Sequence, residues 1–179
     1  AATFVELRSD MTKQLCGKSR PEHFCGVCTV VSKLFHIAMP DKAFFGEKDA
    51  QQLAVIRQMT RDLLFGIEIV GCPTKREEDG LAKSSRNTYL NEKERQAALV
   101  LSRSLKEGKA LMDAGEKDTA KIRKVITDMI EKEPLAKIDY VEVVDWNTLE
   151  SVDKVDGPVL TAIAVYIGKT RLIDNFIVE

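Results

Sequence analysis

Apolar positions recur along this chain at two spacings, and the switches between them mark out its elements. Val27, Val30, Val31, Leu34 and Phe35 fall at helical intervals and stop ahead of Pro40, which predicts one helix. The stretch "DKAFFG" then reads as a short apolar strand ending at Gly46. In "DAQQLAVIRQMTRDLLF" helical spacing returns, with Leu53, Ile56, Met59 and Leu63 on one face. Asp49 is a candidate N-cap there, and Gln52 three residues later completes a capping-box pattern. Residues 67–71, "IEIVG", predict a further strand, and residues 3–7 a short one at the start. Strands alternating with helices across short joints predict a parallel sheet with helical crossovers.

The pattern changes near Thr88. "NEKERQAALVLSRSLKEGKALM" opens with Asn91 as cap and Glu94 at the third helical position, and it turns Leu101, Leu105 and Leu111 inward. "DTAKIRKVITDMIEKEP" repeats the form with a stripe of Ile122, Val125, Ile126, Met129 and Ile130, closed by Pro134. "IDYVEVVD", "PVLTAIAVYIG" and "TRLIDNFIV" follow as strands, the last two joined tightly at Gly168 and Lys169. Helices followed by sequential strands predict a small α+β domain with an antiparallel sheet over residues 89–179, after a first domain over residues 1–88.

Composition narrows the function classes. At 179 residues and 44% hydrophobic, the chain can build real cores. Its net charge of −1 with 31% charged residues argues against a nucleic-acid or membrane-surface binder, which carries a basic excess. No stretch approaches the roughly 18 apolar residues of a membrane span, and the opening "AATFVELRSD" lacks the hydrophobic run of a signal peptide, so a cytoplasmic protein is expected. Cys16, His23, Cys25 and Cys28 form C-x6-H-x-C-x2-C, a spacing that fits no known zinc pattern; the three cysteines are expected as reduced and partly buried thiols with no metal site, and Cys72, at the end of an apolar strand, as packing.

The densest chemistry lies in "EDGLAKSSRNTYL". Lys83, Ser84, Ser85, Arg86 and Asn87 place two cations, two hydroxyls and an amide in five consecutive positions, just past Gly80. Such a run of donors suits an oxygen-rich anion, a phosphate chain above all. In a parallel sheet, ligands sit at the carboxyl ends of the strands beside helix N-termini. "FFGEKD" and "CPTKREEDGLAKSSRN" each follow a strand end, so both are expected on one rim.

Four motifs together, "RPEHFCGVCTVVSKLF", "PDKAFFGEKDAQQLAVIRQMTRDL", "VGCPTKREEDGLAKSSRNTYL" and "GKTRLIDN", resemble the pantoate–β-alanine ligase family along nearly all of the chain. The resemblance implies a partial Rossmann-like nucleotidyltransferase domain, related in design to class I aminoacyl-tRNA synthetases, followed by the small α+β domain. It also implies pantoyl adenylate formation from pantoate and ATP with Mg2+, then attack by β-alanine. "AKSSRN" is similar to the KMSKS-like loop of that family, so Lys83, Ser84, Ser85 and Arg86 are expected on the ATP phosphates, on a loop that closes as a lid. By the same resemblance Phe45 and Gly46 line the adenosine, Lys48 touches phosphate, Asp49 the ribose, and Lys75 lies beside the adenine in place of a more usual apolar residue. Gln52 bonds pantoate, while Val27, Val30 and Leu34 meet its gem-dimethyl group.

Capping remains the alternative for Asp49 and Gln52, plain core for Val27, Val30 and Leu34, and a solvated charge for Lys48. His23 either orients the pocket or is an ordinary satisfied polar residue. The sequence holds no H-x-G-H motif, which the family carries toward its N-terminus, so the chain is expected to begin inside a longer polypeptide and to turn over slowly or not at all by itself. A sheet edge and apolar helix faces lacking their neighbours invite association, and a homodimer is expected. Two alternatives stand beside the ligase reading: a non-catalytic binding or dimerising fragment, and another adenylate-forming ligase of the same fold.

Overall fold

A computed structural model describes residues 3–179. The two residues that precede the predicted first strand, Ala1 and Ala2, lie outside the described residues. The chain divides into two compact units: one runs through Pro73 and takes in Asn147–Glu150, the other comprises Thr74–Trp146 and Ser151–Glu179.

In the first unit, a 3-10 turn at Asp10–Thr12 and a short helix α1 (Cys16–Ser19) lead into α2 (His23–Ala38). α2 stops where Met39 adopts a left-handed conformation just before Pro40, as the breaker predicts. β1 (Lys42–Gly46) and β2 (Glu68–Cys72) are joined through α3 (Ala50–Asp62) and pair in parallel, with Phe45 opposite Gly71 and Gly46 opposite Cys72. The apolar side of α3, Leu53, Ile56 and Met59, is buried; Leu63, expected on the same face, falls beyond the helix and is exposed. Residues 3–7 are not a strand. No strand among the described residues pairs with them; the Val5 amide instead donates to Thr29 Oγ1 at 2.9 Å on α2. Among the described residues the parallel sheet therefore has two strands.

The second unit opens with the phosphate-loop candidate and continues into α4 (Glu92–Ala97), α5 (Leu99–Asp113) and α6 (Thr119–Glu131). Asn91 and Glu94 form the capping box that the sequence predicts, each side chain bonding the other's backbone amide at 3.0 Å. Asp118 caps α6 by accepting from the Ala120 and Lys121 amides. β3 (Ala136–Asp145), β4 (Val159–Ile167) and β5 (Thr170–Val178) form an antiparallel meander in the order β3-β4-β5. Gly168 takes a positive φ of 56° in the tight β4–β5 turn. α5 and α6 cover one face of this sheet. Leu101, Leu105, Ile122, Ile126 and Ile130 from the helices meet Val143, Ile163, Val165 and Ile167 from the strands in one core.

Gly108 marks where α5 and α6 approach closely: a β-carbon there would stand 2.6 Å and 2.8 Å from Ile126 Cδ1 and Cγ1. Ile126 is fully buried and has nowhere to swing. Overpacking costs about 1–3 kcal/mol and exceeds the gain of up to about 1 kcal/mol from replacing a helical glycine by alanine. Gly108→Ala is expected to lower the urea midpoint, and adding Ile126→Val should return part of the loss, so that the double variant is more stable than the sum of the singles.

Candidate functional site

Each unit carries its own set of candidate residues. In the first, the parallel register brings the carboxyl ends of β1 and β2 side by side at Gly46 and Cys72. A 3-10 turn, Glu47–Asp49, leaves that end of β1 and leads into α3, placing Lys48 and Asp49 at the helix start. Gly46 keeps an ordinary negative φ, but a β-carbon on it would meet nothing within 4 Å. Its value is therefore open backbone surface rather than conformational freedom. Phe45, Lys48 and Gln52 are half-buried, and Asp49 is exposed.

The capping box predicted at Asp49 and Gln52 does not form. Asp49 sits at φ −96°, ψ 56° and makes no side-chain cap bond, because the preceding 3-10 turn already directs the chain into the helix. The buried glutamine is the neighbour, Gln51. Its Nε2 donates to the Met11 and Gln14 carbonyls at 2.9 and 2.7 Å, and its Oε1 accepts from the Cys16 amide at 3.0 Å. One side chain thus binds the whole 11–16 segment to the start of α3.

Val30 and Leu34 are 52% and 55% exposed, so they are not core. With half-buried Val27 and with Ile37 they form an outward stripe on α2, opposite the buried Phe24, Cys28, Val31 and Phe35.

Among the described residues no group of three or more His, Cys, Asp or Glu could hold a metal ion. Cys28 is wholly buried on α2, and burial pushes its thiol above the usual range. Cys16, Cys25 and Cys72 are half-buried. Under native conditions near pH 8, iodoacetamide is expected to modify these three well before Cys28, whose alkylation should follow unfolding; mass mapping of the labelled peptides checks the order.

The second unit carries the donor-rich loop. Residues 75–83 form a small hairpin in which the Lys83 amide donates to the Lys75 carbonyl at 2.9 Å and the Glu77 amide to the Leu81 carbonyl at 2.8 Å. Gly80 turns its tip at φ 94°, a conformation that suits glycine. Leu81 and Ala82 are buried, so this stretch is anchored rather than a freely mobile arm. Three polar ties reinforce it. Arg76 reaches Asp174 on β5, Arg95 on α4 reaches Asp79 at 2.8 Å, and Arg86 Nη1 donates to the Arg171 carbonyl at 3.2 Å. The bond from Arg95 holds the Asp79 carboxyl below the ordinary carboxylate range.

The exposed chemistry sits at the end of this hairpin. Ser84 caps a 3-10 helix, Ser85–Tyr89, by accepting from the Arg86 amide at 3.2 Å, which leaves its hydroxyl proton available to donate. Lys83, Ser85, Arg86 and Lys75 are exposed, and Lys83 makes only a loose 3.6 Å pair with Glu77. Exposed pairs of this kind are worth about 0–1 kcal/mol and yield readily to a polyanion. Asn87 Nδ2 donates to the Ala82 carbonyl at 3.1 Å and folds the helix back on the hairpin. Sequence reading missed Gln51, Arg76 and Asp174. For Asp174 a signal existed: it shares the inward period of β5 with Leu172 and Phe176, and a carboxylate on a core face requires a buried partner.

A family model described as pantoate-beta-alanine ligase matches residues 2–177. The chain is 65% identical over 176 residues to the pantothenate synthetase of Clostridium acetobutylicum, covering 98% of this chain and 62% of that protein. To the pantothenate synthetase of Carboxydothermus hydrogenoformans it is 57% identical over 178 residues, covering 99% and 63%. Among solved structures, the pantothenate synthetase of Thermus thermophilus superposes with a TM-score of 0.94 at 40% identity, over 98% of this chain and 63% of that one. The Francisella tularensis pantoate-beta-alanine ligase complexed with beta-gamma ATP and beta-alanine gives a TM-score of 0.70 at 32% identity, over 98% and 58%. The chain thus spans about three fifths of the length of the curated relatives it matches.

Proposed function

Because the chain belongs to the pantoate-beta-alanine ligase family, we propose that it forms part of a cytoplasmic ligase that makes pantothenate from pantoate, β-alanine and ATP. In the first step a pantoate carboxylate oxygen attacks the α-phosphorus, the bond to the β-phosphate oxygen breaks, and pyrophosphate leaves. In the second the β-alanine amine attacks the acyl carbon, a C–N bond forms, AMP departs with its oxygen, and the amine loses a proton.

The observation that carries this reading is the anchored loop. Lys83, Ser84, Ser85 and Arg86 present cations and hydroxyls from a fixed support, which suits charge building on the phosphates and the leaving pyrophosphate. Lys48 adds phosphate contact, Asp49 holds the ribose, Phe45 and Gly46 offer the adenosine an open backbone, and Lys75 lies toward the adenine. Gln52 bonds pantoate, and Val27, Val30 and Leu34 receive its methyl groups. The absence of an Asp49–Gln52 capping box leaves both side chains for ligands. Mg2+ binds mainly through substrate phosphates and water in such enzymes and would arrive with ATP; the described residues offer no cage for it, and no step is assigned to it.

Pyrophosphate release tests the proposal. The 179 residues alone are expected to release almost none with ATP and pantoate, and addition of the segment of the Clostridium acetobutylicum relative that this chain does not match should restore it. Full turnover without that segment would contradict the division of labour. AMP formation with other acids, but never with pantoate, would point to a different adenylate-forming ligase. A second reading, an associating fragment or homodimer, is favoured by the outward apolar stripe of α2.

A further inference from the structure

We propose that Arg76 and Asp174 are positioning residues, a clamp between a half-buried guanidinium and a buried carboxylate that fixes the geometry of the loop bearing Lys83–Arg86; the inference rests on the reading of that loop as an anion site. Asp174 is 2% exposed and lies among the apolar side chains of β5. Its carboxylate accepts from Arg76 Nη1 at 2.8 Å, from Arg76 Nη2 at 3.0 Å and from the Asn175 amide at 2.8 Å. The same Arg76 Nη1 donates to the Gly80 carbonyl at 3.1 Å, and Arg76 bridges Ala82 across the hairpin. Arg76 therefore joins the strand and the turn through its guanidinium and pairs through its backbone with the returning limb, which runs directly into Lys83.

Stability is a poor reason for this arrangement. A buried ion pair gives back in attraction roughly what its desolvation takes, and apolar residues of similar volume often serve as well or better. What the pair supplies is geometry. A forked guanidinium on a carboxylate fixes distance and plane together, which a lysine or an apolar contact does not. Farther along the loop, Arg86 is tied to the carbonyl of Arg171, three residues before Asp174 on the same strand. β5 thus acts as the ruler against which both ends of the donor run are set, and the clamp is the tie that ends on a buried carboxylate.

Hydrogen exchange and tripolyphosphate titration of the full 179-residue chain test this. In Asp174→Asn, and in Arg76→Lys as the milder change, the protected amides of Glu77, Lys83, Asn87 and Leu90 are expected to exchange at least tenfold faster, while α5, α6 and β4 keep their protection. Tripolyphosphate should bind about tenfold more weakly, corresponding to the loss of one well-placed charge-assisted contact. The double variant Arg76→Met/Asp174→Leu separates positioning from stability: its melting temperature should hold or rise while tripolyphosphate binding stays weak. Unchanged exchange at the four loop amides, or acceleration spread equally over the core, would overturn the clamp. Failure of the wild-type chain to bind tripolyphosphate, with loop exchange still responding, would instead reject the anion reading of the loop and leave the clamp standing.

Discussion

Arg86→Ala is expected to weaken tripolyphosphate binding by roughly 10- to 100-fold, the largest single loss on the donor loop, because hydrogen bonds to charged groups contribute about 1.5–3 kcal/mol each. Arg86 is exposed at the start of its 3-10 helix, and the bond to the Arg171 carbonyl aims the guanidinium without using all of its donors. Arg86→Lys should recover only part of the affinity, since a lysine brings charge but no planar fork. Ser85→Ala, which removes a neutral donor, should cost roughly threefold to tenfold, in line with about 0.5–1.5 kcal/mol for a neutral bond. Because these groups are exposed, raising the salt from about 50 to about 500 mM should narrow all of these differences. Isothermal titration reads each step. Wild-type affinity in Arg86→Ala would remove the loop from the phosphate site.

Much of this architecture follows from local patterns, and the misses have a common cause. The Asn91–Glu94 capping box, the Ile122–Ile126–Ile130 stripe and the Gly168 hairpin were legible because each is settled by residues close in sequence. Residues 3–7 are rich in strand-forming residues, yet a strand exists only where another offers its edge, and here a threonine hydroxyl on a helix takes that place. Asp49 and Gln52 match a capping box in spacing, but the 3-10 turn before α3 alters the approach of the chain and the box does not close. The Arg76–Asp174 clamp spans 98 positions, beyond any window of local reading. The candidate site was legible as chemistry, in the run Lys83–Arg86. Its support was not, because support comes from distant strands.

The outward stripe of α2 leads to the second large effect. Val30, Leu34 and Ile37 are 52%, 55% and 79% exposed, and Phe44 on β1 is also turned outward. β1 pairs only with β2 among the described residues, so its other edge presents backbone donors and acceptors. Covering such side chains on two copies offsets little more than the freedom lost on association, so self-association is weak. A solution of this chain alone is therefore expected to associate with itself at high micromolar concentration, its mass by light scattering rising above 20.0 kDa with concentration. The triple change Val30→Gln, Leu34→Gln and Ile37→Gln should return the mass to the monomer value. It should leave the unfolding midpoint nearly unchanged, because none of the three belongs to the core. If the relatives' additional length supplies the natural cover, adding the uncovered Clostridium acetobutylicum segment should abolish self-association while forming a one-to-one complex. A wild-type chain that stays monomeric at all concentrations, with the α2 amides exchanging no more slowly as concentration rises, would show that this surface needs no partner.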